Sequence, residues 1–279
     1  MSDTQPLKSH IVCIDSDGCA MDTMNVKHED YFGPLAADVY GIQNREAFLK
    51  EWDRINLYST TRGINRFKGL VLGLKYAVEQ GEEFDDLTEL ENWTENADSL
   101  SNQALEEATS KSDDAALKKA LTWSLAVNKG IEEELAGNDQ PFPYAKEAIE
   151  AIAEVANIAI VSSANREALD SEWNRHGLMP FVDFVYGQER GSKEVAIADI
   201  LAMGYDKDNV LMVGDAPGDE AAAAANGVLY YPILFGKEEE CWKQLEGEAL
   251  KDFLEGNYRQ EWNQKMIDAF HQHLESASK

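Results

Sequence analysis

Residues 9–18 read Ser9-His10-Ile11-Val12-Cys13-Ile14-Asp15-Ser16-Asp17-Gly18. The apolar run through Ile14 reads as a short buried strand over Ser9 to Asp15, ended by the polar turn Ser16-Asp17-Gly18, whose glycine allows unusual backbone angles. Two carboxylates therefore sit at the carboxyl end of the first strand. The long segment after this turn decides the architecture. From about Asp22 to Asn138 the pattern is helical with almost no strand candidates. Phe67, Leu70, Val71, Leu74 and Val78 form one apolar stripe, started by Thr60, Thr61 and Gly63 and stopped by Gly81, and Leu117, Leu121 and Leu125 form another.

Asn138-Asp139-Gln140-Pro141-Phe142-Pro143 marks a boundary, because two prolines one residue apart do not sit inside a helix. Beyond it, strands alternate with helices. Ala145, Ala148, Ile149, Ile152 and Val155 line a helix face, followed by a strand at Ile158 to Val161 and a helix at Arg166 to His176. Next come a short strand at Phe184 to Tyr186, a helix at Lys193 to Met203 and a strand at Val210 to Val213. A helix at Asp219 to Asn226 and a strand at Val228 to Ile233 close the series. Such alternation implies parallel pairing through right-handed crossovers. The expected fold is α/β, a doubly wound parallel sheet of Rossmann-like type interrupted by an inserted helical module. The expected boundaries are a discontinuous core over 1–21 and 139–236, a helical insert over 22–138, and an acidic helical extension over 237–279. In that extension Trp262, Met266, Phe270 and Leu274 recur every four residues, a stripe expected to dock on the core.

A chain of 279 residues can bury roughly three quarters of its unfolded surface in a domain of this size. With 52 Asp and Glu against 25 Lys and Arg, the formal net charge is −27, so the long-range field repels polyanions. Neither nucleic acid nor an anionic membrane surface is an expected partner. Cys13, Cys19 and Cys241 form no CxxC pair and suggest neither a zinc site nor a disulfide framework. No run of about 18 apolar residues occurs, and a cytoplasmic protein is expected.

In open parallel sheets chemistry gathers beyond the carboxyl ends of the strands. There lie Asp15 and Asp17, then Ser162 and Ser163, then Lys193 after Gly191-Ser192, then Gly214, Asp215 and Asp219. Carboxylates within about 4–6 Å of one another do not all stay ionised unless a cation joins them, and an oxygen-only donor set selects a hard ion such as Mg²⁺. Each cluster also has an ordinary reading: a tight turn at Asp17-Gly18, serines preceding a helix cap, a solvated lysine, an Asp near a helix start. The joint pattern is what carries the chemistry.

That pattern resembles the haloacid dehalogenase superfamily of phosphatases and phosphomutases. The matching features, in family order, are an apolar strand before Asp15-Ser16-Asp17-Gly18, an apolar strand before Ser162, the isolated Lys193, and Gly214-Asp215-Ala216-Pro217-Gly218-Asp219. They span the opening strand and roughly Pro143 to Phe235. The helical insert matches in position and character a family cap. Cys19 departs from the Thr or Val that many relatives carry after the glycine.

The resemblance implies that Asp15 attacks phosphorus to form an aspartyl-phosphate and that Asp17 acts as general acid and base. It implies that Asp15, the Asp17 backbone carbonyl and Asp215 hold Mg²⁺, and that Ser162 and Lys193 contact the phosphoryl oxygens. Asp219 would orient Lys193 or a metal-bound water. Asp17 argues against carbon–halogen and carbon–phosphorus substrates, since relatives with those activities lack an acid there.

The basic run Tyr58 to Lys68, with Arg62 and Arg66 at a predicted helix N-terminus, is a candidate for binding the substrate. Its alternative is a solvated helix start laced with salt bridges. Ser163 is a further candidate for substrate contact, while Lys27, His28 and Trp52 read as surface or packing residues. The expected function is a Mg²⁺-dependent phosphatase of a small phosphomonoester, a sugar phosphate or a phosphoglycolate-like metabolite. The rivals are a phosphomutase of the β-phosphoglucomutase type and a non-catalytic protein that binds a phosphorylated metabolite. Monomer and homodimer are both left open.

Overall fold

The computed structural model describes residues 8–135, 137 and 139–278. Five strands, β1 (Ile11–Ile14), β2 (Asn157–Val161), β3 (Phe184–Tyr186), β4 (Val210–Gly214) and β5 (Leu229–Pro232), form one parallel sheet in the order β3-β2-β1-β4-β5. The first strand in the chain is therefore the middle of the sheet. Ile14 lies opposite Ile160 on one side and Val213 on the other. The chain winds outward from β1 to β3, then crosses back to β4 and β5, so the direction of winding reverses between β1 and β4. A doubly wound sheet places its crevice at that reversal, beyond the strand ends.

The chain divides into two compact units. One comprises the segment ending at Met24 together with Asp139–Ala277, and the other is Asn25–Asn138. In the sheet unit successive strand residues face opposite sides. Val12, Ile14, Ile158, Ile160, Leu211 and Val213 enter one apolar cluster, while Ile11, Cys13, Ala159, Val161, Val210 and Met212 enter the other. A sheet buried on both faces needs such continuous apolar strands rather than an alternating polar pattern. The helix after β4 spans Pro217–Asn226, two residues earlier than the sequence reading, because proline is tolerated in a first helical turn, where its missing N–H has no partner to lose.

The C-terminal segment closes the β5 edge. The outward-facing Tyr230 N–H donates to Asn263 Oδ1 (2.9 Å), Tyr258 Oη donates to the Tyr230 carbonyl (2.8 Å), and Pro232 has no N–H to offer. An edge so occupied has little left to pair with another strand. Four-residue spacing drifts about 40° per step around a helix of 3.6 residues per turn, and the tail uses that drift. Trp262 and Met266 join the cluster on one face of the sheet, whereas Phe270 and Leu274 join the cluster on the other. Phe270 is buried edge-on to Tyr230, with ring centroids 5.7 Å apart. Phe270→Ala is expected to cost about 3–5 kcal/mol, the range for a fully buried aromatic, in urea unfolding; a loss under about 1 kcal/mol would refute a docked tail.

The same drift corrects the stripe proposed in the Ala115–Gly130 helix. Its buried face is Ala116, Leu117, Ala120, Trp123, Ser124 and Val127, and Leu125, two four-residue steps from Leu117, is 46% exposed. Val78 and Val155, each in the last turn of its helix, are exposed as well. Among the described residues the second unit contains helices and no strand. Trp52 and Trp123 meet edge-to-face at its centre, with centroids 5.9 Å apart.

Candidate active site

At the end of β1 the Asp15 N–H donates to the Val213 carbonyl (3.0 Å), which carries the register with β4 one residue past the strand. The chain then turns about Ser16, whose carbonyl accepts the N–H groups of Cys19, Ala20 and Met21. Gly18 takes a φ of 80°, the left-handed region this turn requires. Asp15 is buried, with Oδ1 accepting the Ser16 N–H at 2.7 Å. Asp17 is half-buried, and its Oδ1 accepts from Thr23 Oγ1 at 2.5 Å.

Ser192 caps the Lys193–Ala202 helix, placing Lys193 in its first turn. The Lys193 ammonium lies 2.7 Å from Asp15 Oδ2 and 2.5 Å from Asp219 Oδ1. Ala216 has no side chain able to cap the Pro217–Asn226 helix, so Asp219 reaches back, and its Oδ2 accepts the Ala216 N–H at 3.0 Å. Both Asp219 oxygens are thereby engaged, one capping the helix and one holding the lysine. Gly214 makes this approach feasible, since a Cβ there would fall 2.3 Å from Asp219 Cγ. Gly214→Ala must push Asp219 off Lys193. It is expected to lower stability by about 1–3 kcal/mol, the usual cost of overpacking, as read from a chemical melt.

Carboxylate oxygens of Asp15, Asp215 and Asp219, all buried, lie within 4.8 Å of one another. Burial pushes the Asp15 carboxyl up, Lys193 pulls it down, and Asp219 and Asp215 push it up again, leaving it at about 7. Burial alone would lower the Lys193 ammonium, but Asp15 and Asp219 outweigh it and hold the group charged. Three buried carboxylates around one ammonium leave excess negative charge, and every donor is a hard oxygen. Those are the requirements of a hard divalent cation, so the residues present fit Mg²⁺.

Ser162 follows β2, is buried, and its Oγ accepts the Ala164 N–H at 3.2 Å; Ser163 is exposed. Asp15, Lys193, Asp215 and Asp219 are thus brought together, with Asp17 and Ser162 on adjoining strand-end loops of the same sheet. Arg62 and Arg66 belong to the helical unit. Arg62 is not part of a solvated helix start: it is buried, and Nη1 donates to the Leu57 carbonyl at 2.7 Å. The Arg66 guanidinium lies 4.8 Å over the Phe32 ring and donates to Ser124 Oγ (3.1 Å) and Asn128 Oδ1 (2.6 Å). Trp52 is buried and donates to His28 Nδ1 at 3.2 Å. Sequence reasoning passed over Thr23, and it named Gly214 in the strand-end turn without assigning it a role. A polar residue at the start of a helical insert gives no sign that it turns back to Asp17, and the Gly214 role depends on a contact with a residue five positions on.

A family model of haloacid dehalogenase-like hydrolases matches residues 72–231. That match takes in Ser162, Lys193, Asp215 and Asp219, and leaves β1 with Asp15 and Asp17 outside it. Among solved structures, a provisionally assigned phosphoglycolate phosphatase from Lactobacillus delbrueckii subsp. bulgaricus aligns with a TM-score of 0.54 at 12% identity, covering 90% of this chain and 99% of that one. A predicted phosphoglycolate phosphatase from Haemophilus somnus aligns at 0.51 and 14%, covering 81% and 84%. A provisionally assigned haloacid dehalogenase-like hydrolase from Bacteroides fragilis aligns at 0.50 and 15%, covering 84% and 93%. At such identities the likeness is one of fold. No curated protein matches the chain.

Proposed function

The chain belongs to the haloacid dehalogenase-like hydrolases, and from that premise we propose that it is a Mg²⁺-dependent phosphatase, hydrolysing a small phosphomonoester through an aspartyl-phosphate on Asp15. The observation that carries this reading is the Asp15 carboxylate held between the Ser16 N–H and the Lys193 ammonium, within 4.8 Å of Asp215 and Asp219 carboxylate oxygens.

An Asp15 oxygen attacks phosphorus while the bond to the leaving oxygen breaks, and the Asp17 carboxyl gives that oxygen its proton. Water then attacks the same phosphorus, Asp17 takes up its proton, and the bond to Asp15 breaks to release inorganic phosphate. Splitting one transfer into two, with acid–base help worth about 10² to 10⁴ in rate, is chemistry suited to this pair. Thr23 holds Asp17 Oδ1 and so fixes the direction in which its other oxygen faces. Ser162 Oγ and Lys193 Nζ are the groups for the non-bridging phosphoryl oxygens. Asp15, the Asp17 carbonyl and Asp215 would hold Mg²⁺, which when bound neutralises charge on the transferring group. Asp219 keeps Lys193 in place.

The substrate is a small phosphorylated metabolite such as a sugar phosphate or a phosphoglycolate-like compound, met in the cytoplasm. The three cysteines are free and buried, as a reducing compartment allows. Among the described residues no helix is long and apolar enough to cross a membrane. The net charge of −27 disfavours nucleic acid as a partner and leaves an anionic substrate to be drawn in by local cations. Arg62 and Arg66 are candidates for that role in the helical unit. Incubation with a panel of sugar phosphates, phosphoglycolate and Mg²⁺ tests the reading. Release of inorganic phosphate is expected, whereas isomerised product without release would replace the phosphatase with a mutase.

A further inference from the structure

Ser16 lies between Asp15 and Asp17 and is the pivot of their turn. Its carbonyl accepts from Cys19 (3.3 Å), Ala20 (3.0 Å) and Met21 (2.8 Å), and its N–H donates to Asp15 Oδ1. Its side chain is fully buried, and Oγ accepts the indole Nε1–H of Trp173 at 2.9 Å. Trp173, also fully buried, is on the Arg166–Arg175 helix, which begins directly after the loop carrying Ser162 and Ser163. We infer that Trp173 is a positioning residue for phosphoryl transfer: its indole N–H, acting through Ser16, sets the Asp15 carboxylate and ties the Asp15–Asp17 turn to the Ser162 loop.

The inference rests on the phosphatase reading for its kinetic consequence and on geometry for the rest. The connection is continuous: indole N–H to Ser16 Oγ, Ser16 N–H to Asp15 Oδ1, and Asp15 Oδ2 to Lys193. Rotation of the Ser16 peptide would turn the Asp15 carboxylate with it. Packing alone would not call for this pair, since Phe and Ala fill an apolar site without burying a donor and an acceptor. A satisfied polar pair inside an apolar cluster specifies one orientation where an apolar contact tolerates several. In-line transfer depends on that orientation, and a misplacement of about 1 Å costs on the order of 10²-fold.

The test compares Trp173→Phe, Ser16→Ala and the double variant with the wild type, using para-nitrophenyl phosphate and Mg²⁺. Each single variant is expected to lose about 10- to 100-fold in kcat with KM changed less than about twofold. The double variant is expected to be no worse than the weaker single, because both break one contact. Hydrogen exchange supplies a readout without catalysis. The amides of Cys19, Ala20 and Met21 should exchange faster in folded Trp173→Phe, and Ser16→Ala reports the same contact if that variant fails to fold. Unchanged exchange at these amides, or lowered stability with kcat unaltered, overturns the inference. A wild type that hydrolyses no phosphomonoester overturns the phosphatase reading instead, and the exchange result still decides the positioning role.

Discussion

Asp15→Asn is expected to reduce phosphate release by about 10³-fold or more, the scale on which removal of a covalent nucleophile acts, and at the same time to stabilise the metal-free protein. The two effects have one cause. Burial of Asp15 beside Asp215 and Asp219 raises its carboxyl to about 7, well above the ordinary carboxylate range. The folded chain therefore holds a proton that the unfolded chain gives up, and the stability this confers is full below about pH 4 and lost as pH climbs toward 7. Asparagine carries no charge and loses nothing over that interval. Metal-free Asp15→Asn should match the wild type near pH 4 and exceed it above pH 7, by on the order of 2–4 kcal/mol. Removing one partner of a buried ion pair is ordinarily destabilising because it orphans the other. Here the Lys193 ammonium keeps Asp219 at 2.5 Å, so no cation is orphaned. Paired urea melts at the two pH values, with chelator present, check the sign. A variant less stable than the wild type above pH 7 would refute the excess of negative charge assigned to this site.

The elements that build the site differ in how far they could be read from sequence, and the differences are physical. Asp15, Asp17, Lys193, Asp215 and Asp219 were legible because each follows a short apolar run at a polar or glycine-containing turn, and strand ends in a parallel sheet share one side. The central place of β1 was not, since pairing order depends on which strands meet in space and no local pattern encodes it. Leu125 was misassigned to a buried face because four-residue steps do not follow a helix of 3.6 residues per turn, and Val78, eleven residues on from buried Phe67 and on the same face, is exposed because it sits in the last turn of its helix. The tail stripe keeps the same spacing and is buried throughout, because its drift carries it from one face of the sheet to the other. For Arg62, read as a substrate-binding candidate, the alternative of a solvated helix start rests on what arginine usually does. Its burial against the Leu57 carbonyl depends on a turn closed by several backbone bonds, among them Gly63 N–H to the Asn56 carbonyl. Trp173 and Ser16 are 157 positions apart, and neither residue type signals the other.

Asp215→Asn is expected to abolish the response to Mg²⁺, and this separates a metal site from a merely crowded acidic one. A ligand that binds only the folded state stabilises it by RT ln(1 + [L]/Kd), about 2.7 kcal/mol at a hundredfold excess over Kd. For a chain of this size that amounts to a rise in Tm of about 5–10 °C. Asp215 is buried within 4.8 Å of Asp15 and Asp219, and Asp219 has committed one oxygen to Lys193 and the other to the Ala216 N–H. In the proposed metal site the carboxylate ligands are Asp15 and Asp215, so replacing Asp215 leaves a single charged donor. A hard ion that surrenders hydration water reluctantly does not exchange it for one carboxylate and a neutral amide. Without metal, Asp215→Asn should melt above the wild type, because it removes one of the three buried carboxylates whose mutual repulsion raises the Asp15 carboxyl. With saturating Mg²⁺ the wild type should gain stability and the variant should not, reversing their order. An undiminished Mg²⁺ shift in Asp215→Asn would place the ion elsewhere and remove the electrostatic basis for phosphoryl transfer at Asp15.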